Sequence, residues 1–191
     1  MTTKASLFVI SGPSGSGKSS LIADVLKDLD NFEKSISATT RSIRRGEKDG
    51  VQYHFISKED FEKQVGECSF LEWAEYSGYY YGTPKKFVDD KLAAGVNVIL
   101  EIEVQGAMQV MESRTCAYYI FIVATTTGEL RERLLKRGTD SPAEIEKRMV
   151  IAEEELKYKK HYDCIIVNNN YNEALQNLKD VLLGTVGGNK H

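Results

Sequence analysis

The chain has few cysteines, few histidines and no long apolar run, and each shortage closes off a class of function. Its three cysteines, Cys68, Cys116 and Cys164, are odd in number, far apart and set in apolar or aromatic sequence, which fits neither a disulfide framework nor a zinc spacing. They are expected as buried, reduced thiols. The three histidines supply no metal set, because His54 and His161 are isolated and His191 is terminal. No stretch approaches membrane-spanning length, and the apolar run Leu7 to Ile10 is too short for an export signal. A cytoplasmic chain with no membrane partner is therefore expected. Positive charge is not in surplus either: 25 Lys and Arg against 28 Asp and Glu leave a net charge of −3, which gives no broad basic face for nucleic acid. Any cationic site must be local. The 191 residues carry no repeat, low-complexity tract or linker and suit one α/β folding unit with inserted lobes, with monomer and homo-oligomer equally open.

What the chain does have is alternation. Leu7 to Ile10 is a short β-branched run ending in Gly and Pro, and Leu21, Ile22, Val25, Leu26 and Leu29 then recur at helical spacing. Further apolar runs at Asn97 to Ile102, Tyr118 to Val123 and Asp163 to Val167 read as strands buried on both faces of a parallel sheet. Helices are expected over Pro84 to Ala94, with Thr83 as N-cap and Gly95 as stop, over Gln105 to Ser113 and over Tyr171 to Leu183. Two stretches interrupt this order. Glu33 to Gly82 holds short aromatic-rich segments, Val51 to Phe55 and Phe70 to Tyr76, suited to a small, mostly antiparallel inserted lobe. Gly128 to Lys160 is charged, and Ser141, Pro142 and Glu144 fit the first positions of a capped helix whose apolar face is Ile145, Met149, Ala152 and Leu156.

Between the first strand and helix lies GPSGSGKS, Gly12 to Ser19. Triphosphate oxygens need converging backbone amides without bulky side chains in the way, which Gly12, Gly15 and Gly17 permit, with Pro13, Ser14 and Ser16 completing the turn. The following helix directs its positive end at the same place, Lys18 reaches the outer phosphates, and the Ser19 hydroxyl suits a magnesium ion. ATPases, GTPases and small-molecule kinases all share such a loop, so it does not fix a reaction.

The rest of the chain narrows the choice. SATTRSIRRGEKDGVQYHF, FLEW and YGT, after GPSGSGKSS and before ILEIEVQGA and LLKRGTDS, closely resemble the guanylate kinase family from end to end in order and spacing. The resemblance implies a three-layer α/β/α phosphate-loop fold with a central parallel sheet. Its core would span about residues 1–32, 84–127 and 161–191, its GMP-binding lobe about 33–83 and its helical lid about 128–160. It also implies ATP-dependent phosphorylation of GMP with Mg2+. Arg41 and Arg44 would grip the GMP phosphate with the phenols of Tyr53 and Tyr81. Glu72 would accept from the N1 and N2 donors of guanine, with Ser37 and Thr83 offering hydroxyls towards O6.

Glu101 and Glu103, at the end of a buried strand, would contact the acceptor nucleotide or orient magnesium through its waters. Family members usually have Asp at the position of Glu103 and Asn at that of Tyr79, which together with Tyr80 is expected as a packing or rim residue. Arg133, Arg137 and Arg148 match arginines of the ATP-side lid, the alternative for all three being a solvated helix face paired with Glu129 and Glu144. Lys18, Arg41 and these three arginines would together neutralise the transferring phosphoryl group. Asn168 either contacts adenine or caps the turn before the last helix.

Overall fold

The structure, a computed structural model, describes residues 5–113, 116–137 and 141–187. The chain opens with β1 (Leu7–Ser11), α1 (Lys18–Val25) and β2 (Phe32–Lys34). A second sheet follows, from β3 (Ala38–Thr39), β4 (His54–Phe55), then helix α2 (Lys58–Gly66), β5 (Phe70–Tyr76) and β6 (Tyr79–Pro84). The path returns through α3 (Lys85–Ala93), β7 (Asn97–Glu101), α4 (Val104–Ser113) and β8 (Ala117–Val123). Helices α5 (Thr127–Arg137) and α6 (Pro142–Leu156) and a 3-10 turn, Lys157–His161, precede β9 (Cys164–Val167) and α7 (Tyr171–Gly187).

The main sheet has the order β2-β7-β1-β8-β9, and every pairing in it is parallel. Its central strands are apolar on both faces because helices cover both. Phe8, Ile10, Ile99, Ile120 and Ile122 pack against Leu21, Ile22 and Val25 of α1 and Ala174, Leu178 and Leu182 of α7. On the other face Leu7, Val9, Val98, Leu100 and Phe121 meet Val88 of α3 and Val104, Ala107 and Val110 of α4. This is the expected three-layer arrangement, and it places the residues after β1, β7, β8 and β9 along one edge. Ligands of open α/β sheets bind along such an edge, where the strands end and the order reverses.

The second sheet, in the order β4-β3-β6-β5, is mixed: β3 runs parallel to β4 and antiparallel to β6, which is antiparallel to β5. Its small core is aromatic, with Phe61 of α2 stacked on Phe70 at 4.5 Å and on Tyr80 at 5.4 Å. Tyr80 is thus a packing residue and the exposed Tyr79 a rim residue, as the sequence suggests. Among the described residues no helix is long and apolar enough to cross a membrane.

Several expectations need correction. Helix α2 and strand β2 are not among the elements read from the sequence, and only His54–Phe55 of the Val51 to Phe55 segment pairs as a strand. Thr83 does not cap α3. It lies in β6, fully buried, and its hydroxyl donates to Glu72. The thiols form no disulfide but are not buried: Cys68 and Cys116 are exposed and Cys164 only partly covered. Cys68 follows α2 with φ 54°, a left-handed exit that turns it outward. The capped α6 forms as expected, with the Ser141 amide donating to Glu144 at 2.7 Å and the Glu144 amide donating to Ser141 Oγ at 3.4 Å. Gly95 ends α3 at φ 83°.

Gly12, at φ 143°, comes so close to β8 that a Cβ there would sit 2.0 Å from the Ile122 carbonyl oxygen. The loop is therefore wedged into the sheet, not merely attached to it. Gly12→Ala is expected to destabilise the fold by about 2–3 kcal/mol through strain and overpacking. Thermal denaturation should show a fall of roughly 5–10 °C, and an unchanged midpoint would refute the wedge.

Candidate active site

The phosphate loop is a shell of peptides whose carbonyls are taken by three side chains that also line the cleft beside it. The Lys18 ammonium donates to Gly12 O and, at 3.1 Å, to Pro13 O. The Asn168 amide donates to Ser16 O at 2.7 Å, and Arg133 reaches Gly15 O and Ser16 O at 3.5 and 3.3 Å. Arg133 also donates to Asn168 O at 2.7 Å and pairs with Glu129. Carbonyl and N–H point opposite ways along a trans peptide, so the side chains that hold the carbonyls also fix the direction of the loop amides. Gly17 precedes α1 in the left-handed region at φ 92°, and no side chain caps the helix, so its first N–H groups stay available to an anion.

A cleft of about 1090 Å³ opens beside this loop. Ser14, Gly15, Gly17, Lys18, Ser19, Asn168, Arg133 and Arg148 line its loop side, and Arg41, Arg44, Tyr53 and Tyr81 face them. Gly12, Pro13 and Ser16 belong to the loop but not to the cleft wall. Arg148 crosses from α6 to donate to Ser14 Oγ at 2.9 Å, joining that helix to the loop. Arg137 closes α5, and its side chain lies outside the described residues. Asn168 is 3% exposed, and its amide braces the loop at Ser16 O.

Arg41 is 7% exposed, an unusual depth for a guanidinium. Glu47 makes that burial tolerable by accepting from both terminal nitrogens, at 3.0 and 2.8 Å, while Ser42 O accepts at 2.7 Å. Burial opposes the arginine's charge, but the Glu47 hydrogen bonds and charge outweigh it and raise its pKa. Hydrogen bonding from Arg41 in turn holds Glu47 below the usual carboxylate range. The guanidinium also lies over the rings of Tyr53 and Phe55, at 5.4 and 5.5 Å, a cation–π contact with each. Arg44 is exposed on the cleft wall.

Behind Tyr53 and Tyr81 lies a recess of about 30 Å³ that includes Ser37 and Glu72. Glu72 is 5% exposed, and Thr83 Oγ1 donates to its Oε1 at 2.6 Å. Burial raises its pKa most; the Thr83 bonds lower it and the Glu103 charge raises it, leaving it at about 7. The recess has room for only a water or two, so a larger group can enter only if its walls part.

Carboxylates occupy the floor. Glu101, at the end of β7, accepts from Ser19 Oγ on one oxygen and from Lys34 of β2 on the other. Burial pushes Glu101 up, but the charge and hydrogen bond of Lys34 and the Ser19 bond outweigh it and hold it below its ordinary value. Glu103 Oε2 is buried with no hydrogen-bond partner, as is Oε2 of Glu155 from α6. Burial and the neighbouring Glu103 push Glu155 upward. Sequence reasoning missed three of these residues. Glu155 was detectable, since it follows Ala152 by three on the apolar face of α6; Lys34 and Glu47 were not, because their partners depend on strand pairing and a loop turn.

A parallel sheet with a glycine loop at its carboxyl edge, a second sheet facing that loop and two arginine-bearing helices beside it define the class: a phosphate-loop nucleoside monophosphate kinase fold. Residues 4–184 match the family model described as guanylate kinase. The chain is 45% identical to the guanylate kinase of Desulfitobacterium hafniense over 177 residues, 93% of this chain and 88% of that protein. It is likewise 45% identical to the guanylate kinase of Listeria innocua over 183 residues, 95% and 89% of the two chains. The crystal structure of guanylate kinase from Anaplasma phagocytophilum superposes with a TM-score of 0.82 at 31% identity, covering 96% of this chain and 87% of that one. The chain belongs to the guanylate kinase family, and is an enzyme of that kind: a nucleotide-binding transferase.

Glu72 also makes stability depend on pH. Its folded pKa of about 7 lies above the ordinary 4.5, so the folded chain holds the proton more tightly. The stability this confers is complete at low pH, falls as pH rises between those two values, and is gone above them. Glu72→Gln, which keeps the oxygen that Thr83 meets, should melt progressively higher relative to the parent as pH goes from 5 to 8. A gap of about 5 °C by pH 8 is expected in thermal melts, and a constant gap would contradict a buried, proton-retaining carboxyl.

Proposed function

We propose that this enzyme transfers the γ-phosphoryl group of ATP directly to the phosphate of GMP, giving ADP and GDP, as a cytoplasmic step of purine nucleotide metabolism and GMP recycling. One observation carries the reading: Lys18 and the phosphate loop face Arg41 and Arg44 across a single cleft, with the buried Glu72 behind the latter. Two anions must meet there. The loop amides and Lys18 hold the donor phosphates, while Arg41, Arg44, Tyr53 and Tyr81 hold the acceptor phosphate. Glu72 accepts the two guanine donors while Thr83 donates to its Oε1, and Ser37 offers its hydroxyl towards O6. Adenine would leave this carboxylate facing an acceptor, a mismatch that costs roughly 10⁴-fold in comparable sites. The deoxy acceptor dGMP shares the base edge and phosphate on which this recognition rests, and is expected to be used.

The donor set suits magnesium. Ser19 donates its hydroxyl hydrogen to Glu101, so its lone pairs remain for an ion, and the buried Glu103 Oε2 lacks a partner. No group of three His, Cys, Asp or Glu among the described residues forms a protein cage. That favours a hard ion held largely by phosphates and water. Ser19 would hold it directly and Glu103 through water, and when bound with ATP it would neutralise phosphate charge. Arg133, Arg137 and Arg148 bring further charge from the α5–α6 lid, and Asn168 serves ATP by bracing the loop. No side chain forms a covalent intermediate; the GMP phosphate oxygen attacks in line.

A catalytically silent interaction module is the rival reading for this fold. The intact loop, with Lys18, Ser19 and Arg133 engaged around it, argues against that. Coupled ADP-release assays with MgATP and GMP, dGMP, AMP, UMP or CMP decide between them. Turnover is expected with GMP and dGMP, and its absence with GMP overturns the proposal. Lys18→Ala should lower kcat by at least about 10³-fold, the scale of losing one transition-state charge, with GMP affinity nearly retained. Closure of lid and lobe should appear as compaction in small-angle scattering when GMP and a non-hydrolysable ATP analogue are added together; no change in radius would eliminate it.

A further inference from the structure

The second sheet holds Glu72 through a hydrogen bond from Thr83 of β6 to Oε1, on a strand that is otherwise weakly fixed. Glu72 lies on β5, an edge strand paired on one side only, and the β5–β6 register shifts between Phe70 and Glu72, immediately before it. An edge strand with an irregular ladder is a loose mount for a specificity group. Helix α4 supplies what is missing, in two ways. Its Gly106 lies against the carboxylate so closely that a Cβ there would be 2.1 Å from Glu72 Oε2 and 2.8 Å from Cδ. Only glycine fits under that group. Three residues on, and so on the same face of the helix, the Gln109 amide clamps the backbone of the adjoining residue: Nε2 donates to Trp73 O at 2.6 Å, and Trp73 N donates to Oε1 at 3.2 Å. Gln109 thereby occupies the backbone groups that a further strand would have taken.

Helix α4 starts at Val104, directly after the β7 strand end that carries Glu101 and Glu103. We infer that Gly106 and Gln109 are specificity-determining positioning residues, through which α4 holds the Glu72 carboxylate in register with the transfer site. This rests on the reading that Glu72 receives guanine. The base-reading group is thus mounted on the core helix, although its own residue belongs to the second sheet.

Equilibrium binding of GMP and of ADP, with melting temperature, tests it in Gly106→Ala, Gln109→Ala and Glu72→Ala, and in each of the first two combined with the third. Gly106→Ala should weaken GMP by tenfold or more and Gln109→Ala by about fivefold, the scale of one misplaced charge-assisted hydrogen bond. ADP affinity should stay within about twofold, because the loop side is untouched. In the Glu72→Ala background neither substitution should weaken GMP further, as no carboxylate remains to displace. Gln109 is exposed, so its variant reports even if Gly106→Ala fails to fold. If Glu72→Ala weakens GMP while the other two variants do not, only the positioning role is overturned. Losses that persist in the Glu72→Ala background, or that extend equally to ADP, mark general structural damage and overturn it as well. If Glu72→Ala leaves GMP binding unchanged, the guanine reading itself falls.

Discussion

The peptide carbonyls of the phosphate loop must be engaged by hydrogen-bond donors, because a bare oxygen facing the cleft would set negative charge against phosphate. Each element around the loop can be understood from that requirement. Gly12 wedges against Ile122 and fixes the loop's first peptide; Lys18, Arg133 and Asn168 then take up the carbonyls. These donors come from α1, α5 and the end of β9, so the loop's conformation is a property of the assembled sheet and not of its glycines alone. Glycine grants the permission, and long-range hydrogen bonds choose the outcome.

A second constraint follows from the chain's net charge of −3. A site for two phosphate-bearing ligands needs dense positive charge, which repels itself when unoccupied. Paired acids resolve this locally. Glu47 lies against Arg41, Glu129 against Arg133 and Glu101 against Lys34. Much of the positive charge around the cleft is therefore already partnered in the structure, and each pair is set by its geometry.

Much of this was legible in the sequence for reasons that are local. The strands of the main sheet are apolar on both faces, the loop is a contiguous motif, and Ser141 with Glu144 forms a cap within four residues, so spacing alone revealed them. What escaped is non-local. Strand β2 is three residues long and partly exposed, and it counts as a strand only because β7 lies beside it. Thr83 resembled a helix cap, but its hydroxyl was taken by Glu72 across the β5–β6 ladder. Helix α2 carries one buried apolar side chain, Phe61, too weak a periodicity to see. The cysteines misled because apolar neighbours in sequence are not neighbours in space. For the site, motif residues could be recognised, whereas the groups that hold them, Lys34, Glu47 and Gly106, could be found only by folding the chain.

The burial of Glu155 beside Glu103 carries a mechanical consequence. It anchors the last turn of α6 at the core, while residues 142–144 at the start of the helix are exposed and capped by Ser141 and Glu144. Arg148 lies seven residues before Glu155, about 10 Å along the axis at helical rise. The helix is then a lever with its fulcrum at the buried end, and a rotation of about 10° there carries the Arg148 attachment point through about 2 Å. A movement too small to disturb the packing of the core is enough to make or break a hydrogen bond at Ser14.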